Sequence, residues 1–282
     1  MLDTSGLIKN HKVFSHNRDV IFRGDITKEK IIILLSGEVT QTLKKSKIRR
    51  LIIKHKDISY IGLEELIKNC PHEQVIRIKA GSKYILYTLE EFLLVFQMQL
   101  NITFHSIIYL SKQLRTHYTK GKKINFTPQF PTILDDINPD EDLEETLYNI
   151  SFSNEDNIPQ DIAEKILITF PPNHTIMEEG DHSNELYILV DGQVSIYQKI
   201  KKEQKKIAEL QATSLIGEMA QFDGLPRSAT VITDTTAKLL VFKPENFKMV
   251  FQLHPKWSLK IINSLAERII SIRTNLLEHG IY

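Results

Sequence analysis

The sequence contains a single cysteine, Cys70, and no run of apolar residues long enough to cross a membrane. One cysteine excludes an intrachain disulfide, and a membrane-spanning helix needs about 18 or more consecutive apolar residues. The N-terminal residues also lack the apolar core of a secretory signal peptide. With 36 basic and 35 acidic residues, the net charge of +1 provides no general attraction to nucleic acid or to an anionic membrane. We therefore expect a cytoplasmic protein that binds neither.

The sequence also lacks the short motifs of the common enzyme classes. It contains no GxxxxGK[ST] loop, no HExxH helix, no CxxC pair and no GxSxG turn. Its 10 histidines are scattered along the chain, and scattered histidines are more often surface or core residues than metal ligands. We therefore predict that the protein is not an enzyme and that it has no metal site.

An internal repeat with an offset of 155 residues organises what is present. Glycine, proline and phenylalanine recur at that offset in five pairs: Gly37 and Gly192, Gly62 and Gly217, Pro71 and Pro226, Phe92 and Phe247, Phe96 and Phe251. In both copies, short β-rich segments bounded by turn residues are followed by residues with helical spacing. The pattern predicts a tandem duplication.

The repeat divides the chain into two domains and a linker. We assign residues 1–115 to the first domain, 116–160 to the linker and 161–282 to the second domain, including its C-terminal helix. The linker carries a basic end, prolines and an acidic run, and one helix is predicted near residues 143–150. The acidic run is expected to be solvated, with a docking role as the alternative.

The C-terminal helix carries a narrow apolar stripe. Its members recur at intervals of three and four residues: Ile262, Leu265, Ile269, Ile272 and Leu276. Such spacing fits a helix that packs on its own domain, and it fits equally well a helix that pairs with a second copy in a homodimer.

The segment GEMAQFDGLPRSATV, residues 217–231, holds the residues best suited to bind a ligand. Gly217 allows close approach of the backbone, and the residues after it can begin a short helix with outward-facing N–H groups. The guanidinium of Arg227 fits two phosphate oxygens, and the Glu218 carboxylate can accept a hydrogen bond from a sugar hydroxyl. These groups predict a sugar phosphate or nucleotide. The alternative is an exposed Glu–Arg ion pair on a turn, which contributes little.

The second half resembles the cyclic nucleotide-binding domain family. The resemblance runs from NHTIMEEGDHSNELYILVDGQVSIY through IAELQATSLIGEMAQFDGLPRSATV to LLVFKPENFKMVF. It implies a mainly β fold with helices: two cyclic-nucleotide-binding β-roll domains, jelly-roll-like and eight-stranded, each flanked by α-helices. It also implies that Glu218 bonds the ribose 2′-hydroxyl and that Arg227 pairs with the cyclic phosphate. The ligand-binding residues that it implies are Gly217, Glu218, Met219, Ala220, Arg227, Ser228 and Ala229.

The same resemblance bears on the identity of the ligand. Ser228, directly after the arginine, is similar to bacterial cAMP binders, so we expect cAMP, with cGMP as the alternative. Ile216 departs from the family phenylalanine before the Gly-Glu pair. In the family a residue of the C-terminal helix caps the base, and the candidates here are Arg273, Leu276 and Leu277.

The first copy lacks the charged groups of this segment. At the offset of 155 residues, Leu63 corresponds to Glu218, His72 to Arg227 and Glu73 to Ser228. A residual anion site would require Glu64 to shift by one place or His72 to be protonated. We therefore expect one nucleotide site per chain, with the first domain serving packing, dimerisation or signal relay.

The expected function is a cyclic nucleotide receptor that signals through a ligand-induced conformational change to an unidentified protein partner. Few residues follow the C-terminal helix, so a helix-turn-helix DNA-binding domain is not expected. One alternative is a structural or interaction protein that uses this fold without binding nucleotide. Another is an inhibitor similar to a kinase regulatory subunit, although the linker segment KGKK at 120–123 lacks the arginine pair of such inhibitors.

Overall fold

Two units make up the chain in the computed structural model. The structure describes residues 11–23, 30–44, 50–56, 58–67, 73–121, 166–200, 203–212, 214–244 and 255–279. The first unit comprises Met1–Phe126 with Leu265–Tyr282, and the second comprises Thr127–Ser264. The predicted linker helix lies outside the described residues. The division differs from the domain assignment above in two respects: residues 265–282 group with the first unit, and the predicted linker, residues 116–160, is divided between the two units at residue 126.

The first unit contains two four-stranded antiparallel sheets and three helices among its described residues up to 121. Its elements are β1 Phe14–Ser15, β2 Val20–Arg23, β3 Lys30–Ser36, β4 Glu38–Lys44, β5 Arg50–Lys56, β6 Ser59–Ile61, α1 Leu63–Ile67, β7 Glu73–Ile78, β8 Lys83–Thr88, α2 Leu89–Met98 and α3 Leu100–Gly121. The strand orders are β1-β8-β3-β6 and β2-β7-β4-β5. Alternating residues of both sheets, such as Ile32, Val39 and Ile78, form one buried core because successive strand residues point to opposite faces.

The second unit repeats this arrangement. Its elements are β9 Leu167–Phe170, β10 Thr175–Met177, β11 Leu186–Asp191, β12 Gln193–Ile200, β13 Glu203–Gln211, β14 Leu215–Ile216, α4 Glu218–Asp223, β15 Thr230–Thr233, β16 Ala237–Phe242 and the long α5 Pro255–Glu278. The strand orders are β10-β15-β12-β13 and β14-β11-β16-β9. The five β-rich segments that the sequence indicated in this half are all strands, and the short helix after Gly217 is present.

The duplication is confirmed at the level of strand register. Val39 pairs with Ile78 in the first unit, and their counterparts at the offset of 155, Val194 and Thr233, pair in the second. A register shift interrupts the β3–β8 ladder after Leu34 and the β11–β16 ladder at the corresponding position. The fold is therefore two β-roll domains with helices, as the sequence predicted.

A glycine shows why the repeat preserves particular residues. Gly192 has φ +91°, and a Cβ there would lie 2.4 Å from the carbonyl oxygen of Thr236 and 2.8 Å from Cα of Ala237. Gly37, its counterpart, has φ +104° and the same close approach to Ser82, the counterpart of Ala237. Both the backbone conformation and the space require glycine, so the residue persists in both copies.

Helix α5 begins in the second unit, and from residue 265 onward it groups with the first. All five members of its apolar stripe are buried within the single chain. The stripe is therefore buried without a second copy, although from residue 265 onward the helix groups with the first unit and not with its own domain, on which the first option above placed it.

No single helix in the described part of the chain is both long and apolar enough to cross a membrane. Helices α2 and α3 meet that criterion of length and composition only together, as a pair bent by 116°.

Candidate functional site

Gly217 begins the loop that the sequence identified in the second unit. It precedes α4 in a left-handed conformation, with φ 85° and ψ 4°. A Cβ at this position would lie 2.5 Å from Nη1 of Arg227 and 2.9 Å from the carbonyl oxygen of Glu185. The absence of a side chain therefore lets the guanidinium of Arg227 approach the backbone at the start of α4.

Arg227 reaches this position from the other end of the loop. Its Nη1 donates to the Gly217 carbonyl at 3.1 Å, and its Nε donates to Oγ of Ser183 at 2.9 Å. Two backbone hydrogen bonds hold the main chain of Arg227. Its N–H donates to the Asp181 carbonyl at 2.8 Å, and its carbonyl accepts from Gly180 N–H at 2.9 Å. A guanidinium has five N–H donors. The contacts to Gly217 and Ser183 therefore fix the position of the Arg227 side chain and still leave donors for a ligand.

Glu185 supplies the negative charge that faces Arg227. Nη2 of Arg227 lies 3.3 Å from Oε2 of Glu185, and the arginine side chain is 1% exposed against 32% for the glutamate. Burial lowers the pKa of Arg227, while Tyr187, Glu185 and Glu218 act in the opposite direction. Arg227 also lies over the ring of Tyr187 at 5.8 Å, a cation–π contact. The site thus holds a permanent cation in a largely desolvated position beside one partly exposed carboxylate.

Helix α4 places Glu218 beside this arginine. Glu218 is 3% exposed, and the N–H groups of the first turn have no acceptor within so short a helix. The Gly217 carbonyl accepts a hydrogen bond from Gln221 N–H of α4 at 3.3 Å and another from Arg227. The same carbonyl therefore contacts both the helix and the guanidinium. An acid and a cation beside the N–H groups of one helix start can together bind a ligand that carries both an anion and hydroxyl groups.

The remaining predicted site residues lie in the same loop. Met219, Ala220 and Ala229 are buried. Ser228 Oγ makes only a weak contact to Sδ of Met219 at 3.8 Å, and its carbonyl accepts from Nε2 of Gln198 at 2.9 Å. The structure therefore brings all seven predicted residues into one loop, with their small side chains between the glutamate and the arginine.

Sequence reasoning missed the residues that hold the arginine, Ser183 and Glu185. They lie in the segment between β10 and β11, away from the loop in sequence. One signal could have found Glu185: its counterpart at the offset of 155 is Lys30, so the acid is absent from the copy in which His72 replaces the arginine. Because a charge and its counter-charge are lost together, the comparison of copies would have linked Glu185 with Arg227.

The corresponding loop of the first unit differs in its charges and in its surroundings. Helix α1 aligns with α4, but Leu63, Glu64 and Glu65 are all buried. The counterpart of Arg227, His72, lies outside the described residues. The buried acids are instead faced by Arg273 of α5, whose Nη1 lies 2.5 Å from Oε1 of Glu64 and 2.9 Å from Oε1 of Glu65.

Arg273 belongs to a wider buried hydrogen-bond network in the first unit. Its Nε donates to Nε2 of His117 at 2.9 Å. Glu65 also accepts from Nε2 of Gln41 at 3.0 Å, and Gln41 continues to His55 at 3.1 Å. Burial and then Glu64 raise the pKa of Glu65 to about 8, and burial and Arg273 lower that of His55 to about 3.

The three candidates for the base cap lie in the part of α5 that groups with the first unit. Arg273 and Leu276 are fully buried, and Leu277 forms a cluster with Leu43, Leu51 and Ile53. The assignment of a base cap to one of these residues stays a prediction.

No group of three His, Cys, Asp or Glu side chains in the described residues is arranged to hold a metal ion.

Comparison with known proteins finds a family model that matches the part of the chain containing the loop. Residues 167–254 match the family model described as the cyclic nucleotide-binding domain. The matched segment contains the whole loop and strands β9–β16.

Two curated relatives illustrate the similarity. The chain is 25% identical over 112 residues to a CRP-like cAMP-activated global transcriptional regulator of Mycobacterium tuberculosis, which covers 39% of this chain and 50% of the relative. It is 39% identical over 67 residues to a cGMP-dependent protein kinase of Plasmodium berghei, which covers 24% of this chain and 7% of the kinase. The matched region thus spans about half the length of the first of these relatives.

Two solved structures are similar to the chain. The catabolite activator protein of Thermus thermophilus covers 46% of this chain and 61% of its own, at 21% identity and a TM-score of 0.39. A cAMP-bound PfPKA-R covers 96% of this chain and 80% of its own, at 17% identity and a TM-score of 0.34.

Proposed function

We propose that the second unit binds a cyclic nucleotide at residues 217–229 and that the chain acts as a receptor rather than an enzyme. The observation that carries the proposal is the buried guanidinium of Arg227 at the Gly217 carbonyl, beside Glu218 on α4. The match of residues 167–254 to the cyclic nucleotide-binding domain supports it. In this proposal Arg227 pairs with the cyclic phosphate and Glu218 accepts from the ribose 2′-hydroxyl.

Backbone and small side chains complete the proposed site. The N–H groups of Met219 and Ala220 lie in the first turn of α4, where they lack acceptors within the helix. Ser228 and Ala229 leave space between the two charged groups, and the hydroxyl of Ser228 has only a weak sulfur contact to replace. Cyclic AMP is the proposed ligand, and cyclic GMP is the competitor that the test must include.

Signalling would follow from a difference in ligand affinity between conformations. A ligand shifts a conformational equilibrium only if it binds one state more tightly than another. Here the phosphate competes with Glu185 for Arg227, so binding changes the contacts of the segment before β11. We propose that an unidentified protein partner responds to this change.

The decisive test is calorimetric titration of the full chain with cAMP and with cGMP. Removal of the arginine in Arg227→Ala is expected to weaken binding about 100-fold, because charge-assisted hydrogen bonds contribute about 1.5–3 kcal/mol each. Glu218→Gln keeps an acceptor but loses its charge, and about tenfold weaker binding is expected. Arg77→Ala, which removes an arginine with 61% side-chain exposure from the first unit, should bind like the wild type.

A second candidate function rests on the internal contacts of Arg227. Ser183, the Gly217 carbonyl and Glu185 already satisfy three of its donors, as in a protein whose fold is used for interaction without a ligand. Wild-type protein that binds neither nucleotide, or that binds as well with Arg227→Ala, supports this second candidate. Circular dichroism of each variant separates loss of binding from loss of fold.

A further inference from the structure

A cavity of about 350 Å³ opens in the first unit, and none of the buried acids of α1 lines it. It is lined by residues of β5, of the start of β6 and of α3. Strand β5 is the edge strand of its sheet, so one side of its backbone has no neighbouring strand in the described part of the unit. The volume lies in the range of cavities that bind small molecules.

The charge of the cavity wall is of one sign. Three of the ten lining residues are Lys54, Lys56 and Lys112, and none of the ten is acidic. Within the described residues, no ion pair involves any of these three lysines. The one acid adjacent in sequence, Asp57, lies outside the described residues. Clustered ammonium groups that lack counter-charges attract anions.

Two polar atoms of α3 in the cavity wall are buried and have no hydrogen-bond partner among the described residues. They are Nδ1 of His105 and Oε1 of Gln113, one turn either side of Tyr109 along the helix. Buried polar atoms are almost always satisfied in native structures. Both atoms are closed off from solvent, so a partner reaches them only when this wall of the cavity moves. Burial and the nearby charge of Lys112 lower the pKa of His105, in keeping with excess positive charge at this wall.

We propose that this cavity, here called the lysine cavity, binds a phosphate-bearing small molecule through Lys54, Lys56 and Lys112. Ammonium groups act as point charges toward phosphate oxygens and do not require the planar geometry of an arginine. His105 and Gln113 bond the less charged part of the same molecule. The first unit thus has an anion site at a place different from the loop that lost its charges.

The floor of the lysine cavity is connected to the buried network described above. Tyr109 and His55 line the cavity and bond each other at 3.2 Å between the tyrosine hydroxyl and Nδ1. His55 continues through Gln41 and Glu65 to Arg273 on α5. A molecule that moves either ring therefore alters the hydrogen bonds that hold α5.

Calorimetric titration of the full chain with inorganic tripolyphosphate tests the proposal. The wild type is expected to bind, and Lys54→Gln/Lys112→Gln is expected to bind at least about tenfold more weakly, a change of ~1.4 kcal/mol. The matched control is Lys83→Gln/Lys120→Gln, which removes two lysines from β8 and α3 that do not line the cavity. It carries the same net charge as the test variant and should bind like the wild type.

Three results would overturn the lysine cavity as a phosphate site. They are absence of binding to the wild type, equal affinity in the test variant, and equal weakening in the control. Equal affinity of the wild type and the test variant would indicate that tripolyphosphate binds elsewhere, for example at Arg227. Failure of the lysine cavity can therefore be told apart from failure of the proposed nucleotide site. Circular dichroism shows that both double variants are folded.

A second arm distinguishes a soluble ligand from a lipid head group. Vesicles of phosphatidylcholine with and without phosphatidic acid are sedimented with the wild type and the test variant. If sedimentation requires both phosphatidic acid and the two lysines, the lysine cavity binds a phosphate carried by a lipid. Calorimetric binding without sedimentation supports it with a soluble phosphate.

Discussion

Two buried arginines occupy corresponding regions of the two units, and they differ in the carboxylates around them. Arg227 faces Glu185, which is partly exposed, at 3.3 Å. Arg273 faces Glu64 and Glu65, both buried, and although burial acts to lower its pKa, these acids raise it. A partly exposed counter-charge is easily replaced by a ligand, whereas two buried ones are not. The surroundings of each arginine therefore decide whether it can serve an external anion.

Glu185→Gln is expected to tighten cyclic nucleotide binding about fivefold, ~1 kcal/mol. The glutamate occupies Nη2 of Arg227 and repels an incoming phosphate, while Ser183 and the Gly217 carbonyl still orient the guanidinium. Titration calorimetry measures the change. Glu209→Gln, which removes an exposed acid from β13, serves as the control. Weaker binding in Glu185→Gln would show that the acid orients Arg227 instead of competing for it.

Gly217→Ala is expected to reduce both stability and nucleotide affinity. The left-handed backbone costs an L-residue about 1–2 kcal/mol, and the new Cβ also meets Arg227 and the Glu185 carbonyl. Gly224→Ala is the matched control, because its φ is +69° and nothing lies within 4 Å of the added Cβ. Urea unfolding should show the backbone cost in both variants. Titration should show a loss of nucleotide affinity for Gly217→Ala alone. Equal affinity in the two variants would contradict the proposed role of the close approach.

At the scale of elements, the sequence predicted which strands and helices exist, and in what order, better than it predicted which elements they pack against. The β-rich segments ELYILVDG and VSIYQKI, bounded by turn residues, predicted strands β11 and β12, and the spacing of the α5 stripe predicted a helix. Helical spacing identifies which face is buried but carries no information about what covers it. This is why residues 265–278 were assigned to the second domain although they group with the first unit.

The network that holds α5 should make stability depend on pH. The folded pKa of Glu65 is raised from 4.5 to about 8, so between these values the folded state binds more protons than the unfolded state. Stability therefore falls as pH rises through this window. The pKa of His55 is lowered to about 3, and that of His117 is also lowered. These two histidines make stability rise with pH, but only below about pH 6.5, where histidine in the unfolded chain takes up a proton.

Between about pH 6.5 and about pH 8, the wild type should thus lose unfolding free energy on the order of 1–2 kcal/mol through this one group. Glu65→Gln should abolish that decline, and Glu90→Gln, an exposed change on α2, should retain it. Urea denaturation at several pH values gives the slopes. A wild-type slope that Glu65→Gln leaves unchanged would contradict the assignment.

At the scale of the whole molecule, the duplication was readable because the constraints on its glycines are geometric. Gly37 and Gly192 cannot change without a clash, so they mark the repeat, while surface residues are free to diverge. The partners of Arg227 were not readable in this way, because Glu185 is brought to it by the pairing of β11 with β14 and not by sequence spacing. The loop residues follow local rules, whereas their support depends on tertiary structure.

The difference between the two loops leads us to expect one nucleotide per chain. At the corresponding loop the first unit has buried acids, and Arg273, the cation that faces them, is already engaged by them. Equilibrium dialysis with cAMP, at concentrations far above the dissociation constant, measures the stoichiometry. With binding about 100-fold weaker, Arg227→Ala should show about a tenth of the wild-type occupancy when free cAMP is about tenfold above the wild-type dissociation constant. Two equivalent sites in the wild type would contradict this account of the first unit.

The triad of Glu64, Glu65 and Arg273 also constrains how the chain can evolve. Removing one partner of a buried ion pair costs about 3–5 kcal/mol, out of a total stability of about 5–15 kcal/mol for a typical protein. Acquisition of the charge arrangement of residues 217–229 by the first unit would require several of these charges to change together, since each intermediate leaves a charge buried and unpaired. Single substitutions therefore cannot easily convert the first loop into a copy of the second.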